Sequence, residues 1–159
     1  MEKAFNLARD YAEHPEGWLV FTGEYSCGKT HLAAAIANYR VDLGLPHLFV
    51  SVPELLDHLR ATFSLTSEKR FDQLFEEVNA TPLLILDDLG TEAATPWARE
   101  KLYQIINHRY NSELPTVITT SRTLDETDAR LRSRMLDQRL CRIYAITAPG
   151  YRGKSRKKR

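Results

Sequence analysis

The chain has 159 residues, 43% of them hydrophobic, which is enough for one domain that buries about 70% of its unfolded surface. Two cysteines, Cys27 and Cys141, exclude a disulfide scaffold and fit a reducing compartment. No long apolar stretch and no charged-then-apolar leader is present, which argues against a membrane span or a secretory signal and predicts a soluble, cytoplasmic protein. The net charge of +1 hides an asymmetry: Arg152, Lys154, Arg156, Lys157, Lys158 and Arg159 crowd the last eight residues, leaving 16 basic against 21 acidic residues before them. Such a tail suits either nucleic-acid attraction or a solvated, disordered end.

In chain order, the apolar run Trp18-Leu19-Val20-Phe21-Thr22 reads as a buried strand. The next eight residues, Gly23-Glu24-Tyr25-Ser26-Cys27-Gly28-Lys29-Thr30, match the phosphate-binding pattern G-x-x-x-x-G-K-[ST] at every defined position. Its glycines let successive backbone N–H groups curl around a β-phosphate, while Lys29 reaches the β/γ oxygens and the Thr30 hydroxyl holds Mg²⁺. Residues 29–39, with His31 in the first turn and Ala33-Ala34-Ala35-Ile36-Ala37 behind it, read as a helix whose N-terminus faces the phosphates. A chance glycine turn would need both flanking elements by coincidence, so the segment is expected to bind ATP or GTP.

Residues 47–52 form a short apolar strand, and Pro53 opens a helix with Leu55, Leu56 and Leu59 on one face. After a polar break at 64–67, residues 68–79 repeat the helical spacing with Phe71, Leu74, Phe75 and Val78. Thr81-Pro82 interrupts it, and Leu83-Leu84-Ile85-Leu86 is a fully apolar strand of the sort buried on both faces of a parallel sheet. It ends at Asp87 and Asp88. Beside a phosphate loop, Asp87 is expected to hold the Mg²⁺ shell and Asp88 to act as general base on the attacking water, against the plainer reading of a solvated Asp-Asp turn.

Thr95-Pro96 opens another helix, with Leu102, Ile105 and Ile106 as its apolar stripe and Trp97 and Tyr103 packing beside them. Residues 115–120 form a strand that leads to Ser121, the first candidate to orient water or sense the γ-phosphate, with Thr120 second; both also suit a turn. Residues 124–136 read as one Arg-rich mixed helix, and 141–146 as a last alternating strand. Arg130, Arg132 and Arg134 could supply an arginine finger, or a charged face paired with Asp125, Glu126, Asp128 and Asp137, which is the preferred reading for Arg132. Strands alternating with helices through short loops imply a parallel α/β sheet covered on both faces.

Together, Gly28-Lys29-Thr30-His31-Leu32-Ala33, the run from Leu83 through Asp87-Asp88 to Gly90, Ile106-Asn107-His108-Arg109-Tyr110, Leu114 to Ser121 and Leu131-Arg132-Ser133-Arg134 resemble the AAA+ ATPase module of the DnaC/DnaI helicase loaders, which the transposition ATPase IstB shares. The resemblance implies a three-layer P-loop NTPase with a five-stranded parallel sheet in the order 5-1-4-3-2 and no separate C-terminal lid domain. It further implies Asp87 and Asp88 as the Walker B pair, Ser121 in the sensor-one place and Arg134 as a finger acting on a neighbour's ATP. Extra helical structure between the second and third strands would meet single-stranded DNA through Lys69 and Arg70. Tyr151-Arg152 resembles the family's terminal Tyr-Arg element, and Arg152 and Lys154 are further DNA-contact candidates.

The expected organisation is an ATPase domain over 1–152 and a basic, disordered tail over 153–159. With only about sixteen residues before the first strand, the chain reads as an excised domain or a short form. The implied function is a slow, assembly-dependent ATPase using ATP and Mg²⁺, which oligomerises on single-stranded DNA and assists loading of a replicative helicase. An IstB-like ATPase remodelling target DNA for a transposase is the first alternative. The second is a nucleotide-dependent DNA-binding or adaptor module without useful turnover, kept open by Asp88 where AAA+ proteins more usually have Glu. The sequence also departs from the family at Ser121, where Asn is common, and at Glu24, Tyr25 and Cys27, where small residues or proline are usual.

Overall fold

Trp18, Leu19, Val20 and Phe21 are each 0% exposed, so the strand that carries them is covered on both faces. In the computed structural model, which describes residues 1–64, 68–90 and 95–150, this strand is the middle of a three-layer sandwich. The elements are α1 (Glu2–Glu13), β1 (Trp18–Gly23), α2 (Lys29–Asp42), β2 (Leu48–Ser51), α3 (Val52–Ser64), α4 (Glu68–Ala80), β3 (Leu84–Leu89), α5 (Pro96–Asn111), β4 (Thr116–Thr120), a 3₁₀ turn (Leu124–Glu126), α6 (Ala129–Met135) and β5 (Cys141–Ile146). The strands form one sheet in the order β5-β1-β4-β3-β2 with every pair parallel, which is the order the resemblance implied.

Alternate strand residues divide the core. Trp18, Val20, Leu84, Leu86 and Ile118 meet the apolar faces of α3, α4, α5 and α6. Leu19, Phe21, Ile85 and Val117 meet α1 and α2. Helix α5 starts where its sequence says it should: the Thr95 hydroxyl accepts the Ala98 N–H at 3.2 Å, and Pro96 occupies the first turn, where its missing N–H costs nothing. Among the described residues no helix is long and apolar enough to cross a membrane.

Three features differ from the sequence reading. Residues 2–13 form a helix that the sequence reading did not include; it buries Ala4, Ala8, Tyr11 and Ala12, mostly small residues at helical spacing that let α1 lie close on α2. Residues 124–136 are two elements rather than one helix. Thr123 and Glu126 cap the 3₁₀ turn, and the Asp128 carboxylate accepts the Arg130 N–H at 2.9 Å to start α6 afresh. Strand β3, expected to end at the two carboxylates, runs on through both to Leu89, and its register with β4 slips there. Leu86 pairs with Ile118 and Leu89 with Thr120, so Asp87 and Asp88 together face the single residue Thr119, the arrangement of a β-bulge.

Arg109, 0% exposed, ties α5 to the loops that lead into β3 and β4. Its Nε donates to Thr116 Oγ1 (2.9 Å), Nη1 to the carbonyls of Asn79 (3.0 Å) and Thr81 (2.8 Å), and Nη2 to the carbonyl of Pro115 (2.6 Å). Burial pulls its pKa down to about 10, so the cation stays charged at neutral pH and its donors must be met. Arg109→Leu leaves those acceptors buried without a donor and should cost about 3 kcal/mol or more in urea unfolding, with Arg109→Lys recovering only part because an ammonium cannot span the same fork. A loss below about 1 kcal/mol for the leucine variant would remove Arg109 as a structural tie.

Candidate active site

The loop between β1 and α2 takes its shape from backbone conformations that few residues adopt. Gly28 caps α2 at φ +105°, and Ser26 sits at φ +63°. A Cβ at Gly23 would stand 2.6 Å from the carbonyl oxygen of Ile146, so only glycine lets the loop leave β1 this close to β5. Lys29 is only 4% exposed, and its Nζ donates to the carbonyls of Gly23 (2.9 Å) and Glu24 (2.8 Å). The first N–H groups of α2 and this ammonium therefore converge on one hollow, an anion site by geometry and charge.

The acids come to the same hollow from β3. Asp87, 5% exposed, accepts the Thr119 hydroxyl at 2.6 Å on Oδ1 and lies 3.1 Å from the Thr30 hydroxyl through both oxygens. Asp88 adopts φ +58°, a left-handed conformation that the bulge imposes and that turns its carboxyl into the cleft. Its pKa is raised, first by burial and then by the charge of Asp87, with Lys29 pulling the other way. The result is a carboxylate more basic than an ordinary aspartate.

The cleft itself holds about 360 Å³, with Tyr25, Ser26, Gly28, Lys29, Thr30 and His31 on one wall and Asp87, Asp88 and Ser121 on the other. The Ser121 Oγ is buried and has no hydrogen-bond partner among the described residues. Thr120, the second candidate for that place, is spent on structure: its hydroxyl donates to the Leu89 carbonyl at 2.8 Å and accepts the Arg122 N–H at 3.0 Å. Gly23 and Glu24 do not line the cleft; they serve it through the carbonyls that hold Lys29. Cys27 faces a second, more apolar hollow of about 470 Å³, formed with Met1, Ala148, Pro149 and Gly150, which shares Ser26, Gly28 and His31 with the first.

Thr30 and Asp87 form an all-oxygen pair, which fits Mg²⁺, an ion that takes one or two carboxylates and completes its shell with water and phosphate. No cluster of three or more His, Cys, Asp or Glu side chains able to cage a metal occurs among the described residues. Thr119 was missed by sequence reasoning. A threonine in an apolar strand reads as a β-former, and nothing in the pattern says that it faces a bulge.

Other expected residues lie apart from the cleft. Arg134 projects from α6 and does not line it; its guanidinium donates to Asn107 Oδ1 (3.0 Å from Nε), the Tyr103 hydroxyl (3.0 Å) and the Arg130 carbonyl (2.9 Å). Arg132 pairs with Asp125 at 3.1 Å, the charged-face reading preferred for it. Lys69 and Arg70 are exposed on α4. Arg152 and Lys154, with the rest of the tail, lie outside the described residues.

A parallel sheet in this order, a phosphate loop after β1 and paired acids at the end of β3 define an ATP-binding domain of the AAA+ P-loop class. The family of IstB-like ATP binding proteins matches residues 8–159, and the chain belongs to it. The replicative helicase loader DnaC of Escherichia coli K12 is 31% identical over 140 residues, covering 85% of this chain and 56% of that protein. The replicative helicase loader DnaI of Bacillus subtilis 168 is 31% identical over 123 residues, covering 76% and 39% respectively. A crystal structure of the DnaC helicase loader superposes with a TM-score of 0.75 at 27% identity over 91% of this chain and 89% of that one. The chain spans about half the length of the curated relatives it matches.

The raised pKa of Asp88 has a consequence for stability. Its folded-state value lies above the unfolded one, so the contribution it makes to folding is full below the unfolded pKa and is lost as pH rises through the folded pKa. Asp88→Asn should therefore melt at or above the wild-type temperature at pH 7, with the difference shrinking below about pH 4. Calorimetric melting across pH checks this, and a variant clearly less stable at pH 7 would contradict the assigned strain.

Proposed function

We propose that this chain is an ATPase that turns over slowly and only in an assembly, oligomerising on single-stranded DNA to help load a replicative helicase. The observation that carries the catalytic half is Asp88, a carboxylate of raised basicity turned into the phosphate hollow across from Lys29. The loading half is supported by the identity to DnaC and DnaI.

In this reading the loop N–H groups, the α2 N-terminus and Lys29 hold the β- and γ-phosphates, and the apolar hollow beside Cys27 takes the adenine. Thr30 and Asp87 would hold Mg²⁺, which supplies neutralisation of the phosphate charge. Asp88 accepts a proton from water as its oxygen attacks the γ-phosphorus and the bond to the β-phosphate oxygen breaks, giving ADP and inorganic phosphate. The unpartnered Ser121 hydroxyl orients that water. Lys69, Arg70, Arg152 and Lys154 are the proposed DNA contacts, with 1–152 as the working domain and 153–159 as a basic tail, in the cytoplasm.

ATP turnover measured alone, with single-stranded DNA and with a replicative helicase tests the proposal. Stimulation by the latter two is expected. No turnover in a verified assembly would favour the adaptor reading, and stimulation by duplex DNA with a transposase would favour the IstB-like one, which the family assignment supports. Asp88→Asn should bind ATP with near wild-type affinity while losing turnover by roughly 10²-fold or more.

Arg134 is proposed to complete a neighbour's site. Arg134→Ala should leave nucleotide binding by an isolated subunit unchanged and lower turnover of the assembly by about 10³-fold. Mixing Arg134→Ala with Lys29→Ala should restore part of the activity by joining an intact loop to an intact finger. Co-assembled mixtures no more active than either variant would argue against a role between subunits.

A further inference from the structure

We infer that Thr119 is a positioning residue that locks the two acids of the site into separate roles; the inference rests on the ATPase reading above. Its place follows from the register of the sheet. Strand β4 offers one residue where β3 offers two, and that residue is Thr119. At a bulge the strand ladder loses a rung, and an N–H on the bulged strand needs another acceptor. The Thr119 hydroxyl supplies it, accepting the Asp88 N–H at 3.0 Å. The same hydroxyl has one proton to give, and it donates that proton to Asp87 Oδ1 at 2.6 Å.

One buried oxygen atom thus fixes the Asp87 carboxylate and the peptide joining Asp87 to Asp88. Thr119 is 0% exposed, so its bond to Asp87 is shielded from water and its hydroxyl meets the Asp88 N–H from the buried side. The consequences differ for the two acids. Asp87 has part of Oδ1 committed to Thr119, which sets the plane of a carboxylate whose two oxygens both lie 3.1 Å from the Thr30 hydroxyl. Asp88 is held at φ +58°, a conformation an aspartate keeps only when its surroundings insist. Without the lock, the peptide can relax toward an ordinary strand conformation, whose alternation would turn the Asp88 carboxyl away from the cleft.

The test compares wild type with Thr119→Val, which keeps the shape and removes both bonds, and Thr119→Ser, which keeps the hydroxyl. Amide hydrogen exchange followed by NMR reads the lock without any turnover: in Thr119→Val the Asp88 amide should exchange at least tenfold faster while those of Leu84, Ile85 and Leu86 stay protected. Binding of a fluorescent ATP analogue should be unchanged without Mg²⁺, and the gain in affinity on adding Mg²⁺ should be reduced. In the active assembly kcat should fall roughly 10- to 100-fold with little change in KM, and Thr119→Ser should recover most of each loss.

A wild-type protein that never hydrolyses ATP would remove the ATPase reading yet leave the exchange and Mg²⁺ measurements to decide the lock. Thr119→Val with wild-type exchange at Asp88 and wild-type Mg²⁺ response would overturn the inference, as would a serine variant no better than valine. If Thr119→Val is too unstable to study, Thr119→Ser against Thr119→Ala makes the same comparison.

Discussion

A parallel sheet cannot close on itself with tight turns, and the rest of this molecule follows from that constraint. Each strand must be carried back by a crossover, so every strand ends at the same edge. β1 lies between β4 and β5, and β4 lies between β1 and β3. The loop after β1, the acids at the end of β3 and the serine after β4 therefore meet although they are far apart in the chain. The same winding buries β1 on both faces and makes its apolar run a structural necessity.

The edge is where the fold gives up stability. Ser26 and Asp88 both adopt left-handed backbone conformations, Ser121 keeps a buried hydroxyl without a partner among the described residues, and Asp88 carries a carboxyl whose ionised form its surroundings disfavour. The two backbone strains and the unmet hydroxyl each cost on the order of 1 kcal/mol or more. The scaffold offsets them elsewhere, through two closed apolar layers and through Arg109, which satisfies a row of buried carbonyls where α4, α5 and β4 converge. Local strain clustered where the charges converge, with satisfied polar groups away from it, is the distribution expected of a site that does chemistry.

What the sequence made legible was whatever depends on one segment at a time. The runs at Trp18 and Leu83 could only be doubly buried strands, and the loop from Gly23 to Thr30 carries its chemistry in its spacing. What stayed hidden depends on two segments meeting. Thr119 matters because of a register slip that neither β3 nor β4 displays alone. The Ala4, Ala8, Tyr11 and Ala12 face of α1 has helical spacing, but what it packs on shows only once α2 lies against it. The break between the 3₁₀ turn and α6 was missed because Thr123 and Asp128 look like polar surface in an Arg-rich stretch until their side chains are seen capping.

Arg134 is anchored within its own subunit. Its Nε, Nη1 and Nη2 groups all donate within its own chain, to Asn107, Arg130 and Tyr103, and its guanidinium lies 4.9 Å from the ring centroid of Tyr103 and 5.5 Å from that of Tyr110. A guanidinium so held has already lost the rotamer freedom that a long side chain gives up on binding, so little remains to be lost when it meets an anion. In the proposed assembly it would act as a fixed projection of the α5 and α6 surface. The distance from finger to phosphate would then be set by how subunits pack, through the same helices whose apolar stripes hold the sheet, and catalysis would report assembly without a separate moving part.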